Sequence, residues 1–268
     1  EPVAAGILTH NVEPRIVSRL WAERSLRARV TRDDVVLCFG NLPPLYRLEA
    51  PTILFIQNRY LIDSIPLRSL AVKMRMRIAF ERVWLRALCK NVDCVVVQTP
   101  TMQDCVRKSL GMKAQVFPFM EKETLYSRMQ PDSDVQESRY DFLYVASAEP
   151  HKNHFQLVKA WIMLAEEGIY PILCLTLDEK NDRKLVAWIY DRVQQHCLKI
   201  FNAGWVSQTE LAKLYRQAKA LIYPSNFEAF GLPLIEARNA NLAIIASERD
   251  YVRDILDPEE TFEPSSPK

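Results

Sequence analysis

The sequence predicts an α/β protein built as two Rossmann-like, doubly wound domains. Three observations carry this. Short apolar runs, such as residues 52–56 and 220–223, alternate with helix-like segments in both halves. Each run stops at breakers or polar residues, as buried parallel strands do. A polar stretch at 121–139 loses the periodicity and separates one series from the other.

The bulk figures fit that reading. A chain of 268 residues, 49% hydrophobic and 25% charged, has ample core for two ordinary domains. No apolar run approaches the ~20 residues of a membrane span. No signal-peptide pattern is read at Glu1, and because the first residue is not Met the true start is expected to lie outside this sequence. None of the six cysteines forms a Cys-x-x-Cys pair, and the four histidines do not fall at metal-ligand spacing with them. Reduced, mostly buried thiols of a cytoplasmic protein, and no metal, are expected. Net charge is +2 but uneven. Residues 1–120 hold 18 Lys and Arg against 10 Asp and Glu, and residues 121–268 hold 17 against 23. The first half is therefore expected to meet something anionic.

In the first domain, residues 1–120, an amphipathic helix is expected from Asn11 or Glu13 to Arg29. Strands are expected at 34–39, 52–56, 93–98 and 114–117, with a helix at 101–110 closed by Gly111. Gln57, Asn58 and Arg59 stand at the carboxyl end of the second strand. Residues 68–90 interleave Arg68, Lys73, Arg75, Arg77, Arg82, Arg86 and Lys90 with aliphatic and aromatic residues. Such a basic helix suits either a solvated domain face or an anionic membrane surface. No nucleic-acid module is visible, and no nucleic acid is expected as a partner.

The second domain, residues 140–268, reads as strands at 142–147, 172–176, 199–202, 220–223 and 243–247. Helices fit at about 153–167, 180–197, 207–218, 233–240 and 249–256. Ser207 to Glu210 forms a capping-box pattern. Asn241 suits a left-handed helix end. Residues 220–240 are the most informative stretch. A buried strand ends at Pro224, a loop follows, and Pro233 opens a helix, so Gly231 and Leu232 lie at a helix N-terminus beyond a strand's carboxyl end. Amides and dipole there favour a phosphate. Glu228 and Glu236 bracket the place, and carboxylates beside a phosphate accept hydrogen bonds from sugar or ribose hydroxyls. The loop His151-Lys152-Asn153-His154 follows the first strand of this domain and can share the crevice. His151 and His154 are expected at the surface or in a cap.

Glu228-Ala-Phe-Gly-Leu-Pro-Leu-Ile-Glu236, preceded by Tyr223-Pro224-Ser225, resembles the Glu-x7-Glu motif of retaining glycosyltransferases with the GT-B fold, family 4 in particular. The likeness is good over about 140–256 and loose over 35–120. It implies two Rossmann-like domains facing a cleft, the first for acceptor and the second for a nucleotide-sugar. It implies Glu236 on the ribose, Glu228 on the donor sugar, and the backbone of Phe230, Gly231 and Leu232 against sugar and phosphate. Lys152 would meet the diphosphate, and Gly204, Trp205 and Val206 resemble the loop beside the nucleobase. Trp205 suits a base platform or a core position equally. Gln57, Asn58 and Arg59 become acceptor-side candidates.

Implied too are transfer with retention, no metal or other cofactor, and a glycan or lipid-linked acceptor in surface-polysaccharide or glycolipid synthesis. The implied location is cytoplasmic, peripheral at the inner membrane face. The chain departs from the pattern at Ser147, where family members carry Arg, and at Gln57, where many carry His. Set against the pattern, the sequence is expected to be truncated at both ends, without the glycine-rich loop before Val3 and the returning helix after Lys268. A non-catalytic nucleotide-sugar-binding protein and a nucleotide-sugar epimerase remain as alternatives.

Overall fold

The computed structural model describes residues 9–13, 15–118 and 138–267. The expected linker at 121–139 thus lies, apart from its last two residues, outside the described residues. The chain divides into two compact units. The first comprises Glu1–Leu67, Ala71–Val97 and Met102–Phe117, and the second is Pro118–Lys268 with Arg68–Leu70 and Gln98–Thr101.

The first unit is built on four parallel strands in the order β1-β2-β3-β4: Val36–Cys38, Thr52–Phe55, Cys94–Val97 and Ala114–Val116. Its helices are α1 (Ile16–Arg29), α2 (Val72–Leu88) and α3 (Pro100–Leu110). The apolar runs form strands because both faces are covered: Leu54, Phe55, Val95 and Val97 are buried, with Met102 and Val106 of α3. Each such side chain contributes about 1.5–3 kcal/mol. α1 begins at Ile16 rather than near Asn11, since Arg15 is extended, with φ −120° and ψ 145°. Gly111, at φ 68°, closes α3 as expected.

The second unit runs β5 (Tyr140–Tyr144), α4 (His154–Glu166), β6 (Leu173–Leu175), α5 (Arg183–His196), β7 (Ile200–Asn202) and α6 (Gln208–Gln217). It continues with β8 (Ala218–Tyr223), α7 (Leu232–Asn239), β9 (Ala243–Ser247), α8 (Asp250–Arg253) and β10 (Glu260–Phe262). All pairings are parallel, in the order β10-β9-β8-β5-β6-β7. The chain steps outward from β5 through β6 to β7, then returns to place β8 on the other side of β5. That reversal is the topological switch point, where an open sheet splays its loops and takes a ligand.

Ser207 caps α6 with the full reciprocal box to Glu210, and Asn241 is left-handed at φ 56°. β8 starts at Ala218, two residues before the apolar run suggests, because Ala218 pairs with Tyr140. β10 has no counterpart in the sequence reading: Glu260-Thr-Phe262 is short and half polar, and it is a strand because β9 offers it an edge. α8 is a single turn where a longer helix is expected. All six cysteines are free, but only Cys174 is buried, Cys197 is exposed and the others are half-buried. Expecting mostly buried thiols is thus wrong. Cys89 sits in the turn after α2 and Cys197 at the left-handed end of α5, where packing is thin.

Candidate nucleotide-sugar site

The site is assembled from the loops that leave β5 and β8. After β5, Pro150–Lys152 forms one 3-10 turn, and Asn153 is left-handed, at φ 63°, before α4. Asn153 can hold that conformation because its amide serves as a staple. Its Nδ2 donates to the carbonyls of Pro224 at 3.2 Å and Pro264 at 2.7 Å. The Asn226 amide donates to the His151 carbonyl at 2.8 Å. His151 stacks on Phe227 with centroids 4.7 Å apart. The two loops are therefore sewn together by backbone, amide and ring contacts.

Between them Lys152 meets Glu228. The Lys152 Nζ donates to Glu228 Oε1 at 2.7 Å, and both side chains are largely enclosed. The Tyr223 hydroxyl donates to the same oxygen at 3.2 Å, and His151 Nε2 stands 3.9 Å from Oε2. Beneath lies a buried layer of hydroxyls. The Tyr144 hydroxyl donates to the Lys152 carbonyl at 2.5 Å, pinning the lysine turn to β5. Ser247 Oγ and the Tyr251 hydroxyl donate to the Ser225 carbonyl at 2.7 and 3.0 Å. Burial first, and the Glu228 charge after it, raise the Tyr223 phenol well above its ordinary range. Burial does the same to Tyr144. Both remain protonated donors aimed at the loops.

Gly231 ends the β8 loop at φ 75° and is the N-terminal cap of α7. A Cβ there would lie 3.2 Å from Leu234 Cδ1 and 3.3 Å from Ile255 Cδ1, so both the conformation and the space call for glycine. Leu232 is the first helical residue and Pro233 the second. Leu232 is exposed, and Phe230 is half-buried. Glu236, one turn on, accepts the Tyr215 hydroxyl at 2.8 Å. Burial raises the Glu236 carboxyl above the usual range, and the Tyr215 bond opposes that.

Sequence and structure diverge in several places here. His154 is not at the surface: it is 3% exposed, faces the Tyr144 ring with centroids 4.9 Å apart, and its Nε2 has no hydrogen-bond partner. Burial drops its pKa to about 4. The side chain packs as an aromatic ring because α4 starts directly over β5. Trp205 is 76% exposed, which excludes the core position. Gly204, at φ 78°, and Val206 accompany it beyond β7. β7 stands two strand spacings, about 10 Å, from β5 on the same edge of the sheet.

Ser147, exposed, donates to the Glu149 carboxylate, so the position where the resemblance implies Arg holds no cation. The sequence gives no sign of Tyr144 or Tyr215, and it places Tyr223 and Asn153 in the motif and the loop without a role of their own. Tyr223 alone carried a signal, as the last residue of a strand entering the motif. Among the described residues no three His, Cys, Asp or Glu side chains gather as a metal site.

Gln57, Asn58 and Arg59 belong to the first unit. The Gln57 and Asn58 amides donate to Asn41 Oδ1 at 2.6 and 2.9 Å, and Gln57 Nε2 donates to the Phe39 carbonyl at 3.3 Å. Arg59 is buried and paired with Asp63 at 2.8 Å.

Residues 127–268 match the family model described as glycosyl transferases group 1. The chain is 26% identical over 215 residues to the O-antigen chain mannosyltransferase RfbU of Salmonella typhimurium, covering 80% of this chain and 56% of that protein. It is 33% identical over 115 residues to the serotype-specific mannosyltransferase WbdA of Escherichia coli, covering 42% of this chain and 14% of WbdA. The chain thus spans about half of the first relative and a small part of the second. Among solved structures, a glycosyltransferase from Rickettsia africae superposes with a TM-score of 0.71 at 14% identity, over 97% of this chain and 71% of that one. TarM superposes with a TM-score of 0.67 at 13% identity, over 93% of this chain and 48% of its own. The fold is that of GT-B glycosyltransferases, and the chain belongs to the glycosyl transferases group 1 family.

Proposed function

We propose that the protein is a retaining, family 4-like glycosyltransferase. It moves a hexose from a nucleoside-diphosphate sugar to a glycan or lipid-linked acceptor in surface-polysaccharide synthesis. Mannose is the hexose favoured by the names of the two relatives. The observation that carries the reading is the meeting of Lys152 and Glu228 at the switch point between β5 and β8, next to the amino end of α7.

Breaking the bond between sugar and diphosphate leaves positive charge on the sugar ring and negative charge on the diphosphate. Lys152 and the amides opening α7, with Phe230, Gly231 and Leu232, face the growing anion. Glu228 and Glu236 form the Glu-x7-Glu pair. Glu228 accepts hydroxyls of the donor sugar, and Glu236 those of the ribose. Gly204, Trp205 and Val206 border the base, with the Trp205 ring free to stack on it. The acceptor hydroxyl attacks from the face the diphosphate leaves, a diphosphate oxygen taking its proton. Gln57 and Asn58 serve the acceptor side, and no metal takes part.

The test is incubation with GDP-mannose or a UDP-hexose, with and without a lipid-linked glycan acceptor, in chelator. Acceptor-dependent release of nucleoside diphosphate and a product of unchanged anomeric configuration by NMR support the proposal. An altered sugar without acceptor would indicate an epimerase. Nucleotide binding without any turnover would indicate a binding protein, the reading that Ser147 favours.

A further inference from the structure

The basic helix α2 carries apolar residues on two faces, and among the described residues only one of them packs inside the protein. Ile78 and Leu85 are buried against the first unit. At 3.6 residues per turn, Val72, Met76, Ala79, Phe80, Val83 and Ala87 fall on the opposite side, within an arc of about 100°. Val72, Met76, Phe80 and Val83 are 68%, 68%, 57% and 65% exposed. No charged residue lies inside the arc. Arg75 and Arg86 border one edge, Lys73 and Arg77 the other, and all four are exposed. The single acid of the helix, Glu81, is taken up by Arg77 at 2.7 Å. A solvated helix face would alternate charges across its middle. This one shows bare hydrocarbon framed by cations.

We infer that this stripe seats the protein on an anionic phospholipid surface. Phe80, Met76, Val72 and Val83 enter the boundary between headgroups and acyl chains, while the flanking Lys and Arg meet lipid phosphates. Charge complementarity selects this occupant. A second copy would bring the same cations face to face, and a purely apolar partner would leave them unmatched. The helix is also neither long nor apolar enough to cross a bilayer, so it lies on the surface. The inference needs no assumption about the sugar chemistry.

The experiment is co-sedimentation of the full chain with vesicles of phosphatidylglycerol mixed with phosphatidylcholine, against phosphatidylcholine alone. Binding to the anionic vesicles only, weakened by salt, is expected. Met76→Ser with Phe80→Ser should lower the partition at least tenfold, as should Arg75→Glu with Arg86→Glu. These positions are exposed, so melting and nucleoside-diphosphate binding, followed in parallel, should stay as in the parent. No binding to anionic vesicles, equal binding to neutral ones, partition untouched by both double variants, or a dimer in light scattering that Phe80→Ser dissolves would each overturn it.

Discussion

Lys152 Nζ sits 2.7 Å from Glu228 Oε1, so the cation assigned to the diphosphate and the acid assigned to the sugar neutralise each other. The pair is already placed where a donor would bring its own anion and its own hydroxyls. Exchange of one set of partners for the other keeps both charges satisfied, and neither side chain has to travel far.

Lys152→Ala should therefore cut kcat by about 10²–10³-fold, the usual loss for one stabilising donor. Nucleotide affinity should change less. The variant should also lose about 1–3 kcal/mol of stability, because Glu228 keeps its burial without its ammonium. Glu236→Ala should show the converse, weaker nucleotide binding with a smaller loss of turnover. Calorimetry with GDP and UDP alongside initial rates decides. The opposite ranking would reverse the two roles.

Tyr215 reaches from α6 to hold Glu236. Tyr215→Phe keeps the packing and frees the carboxylate to turn. About 1 kcal/mol of positioning should be lost, seen as a roughly fivefold weaker Kd for the nucleoside diphosphate, with kcat at saturation nearly unchanged. A fall in kcat with Kd intact would show that the bond serves the chemical step instead.

Acid should loosen the second unit through His154. Its folded pKa, about 4, lies below that of an unfolded histidine near 6.5. Between those values the unfolded chain binds the extra proton. Stability is thus full above about pH 6.5 and falls as pH drops towards 4, by about 3 kcal/mol in all. Urea midpoints from pH 7.5 to 4.5 should show the fall, and His154→Phe, which retains a ring against Tyr144, should flatten it.

Two glycines should respond differently to the same change. Gly231→Ala meets both a left-handed φ and contacts near 3.2 Å, and about 2–3 kcal/mol should be lost. Gly204→Ala has nothing within 4 Å and pays only for its φ, so about 1–2 kcal/mol is expected. Thermal melting of the two variants checks the order.

The strand-helix alternation is legible because the central strands are covered on both faces, which turns them into short unbroken apolar runs such as Leu173–Leu175. The motif corner was legible through Pro233, Gly231 and the two glutamates. The tyrosines under the site were not, since a buried phenol has the same letters around it whether it fills space or donates to a carboxylate. β10 was missed because its identity rests on a neighbour's edge. His154 was misplaced because charge and polarity in a loop suggest solvent, while the start of α4 turns that ring inward. The outward stripe of α2 was hidden for a related reason. With apolar residues on both sides, the period no longer says which side faces the core.

Asn153 shares one amide between the end of β8 and Pro264, past β10, and Gln156 adds a bond to the Ser265 carbonyl at 3.1 Å. The lysine turn and the last described segment are thus tethered to a common peg. A shift of Pro264 and Ser265 would therefore be felt at the turn that carries Lys152, so a segment distant in sequence is mechanically coupled to the candidate site without touching it.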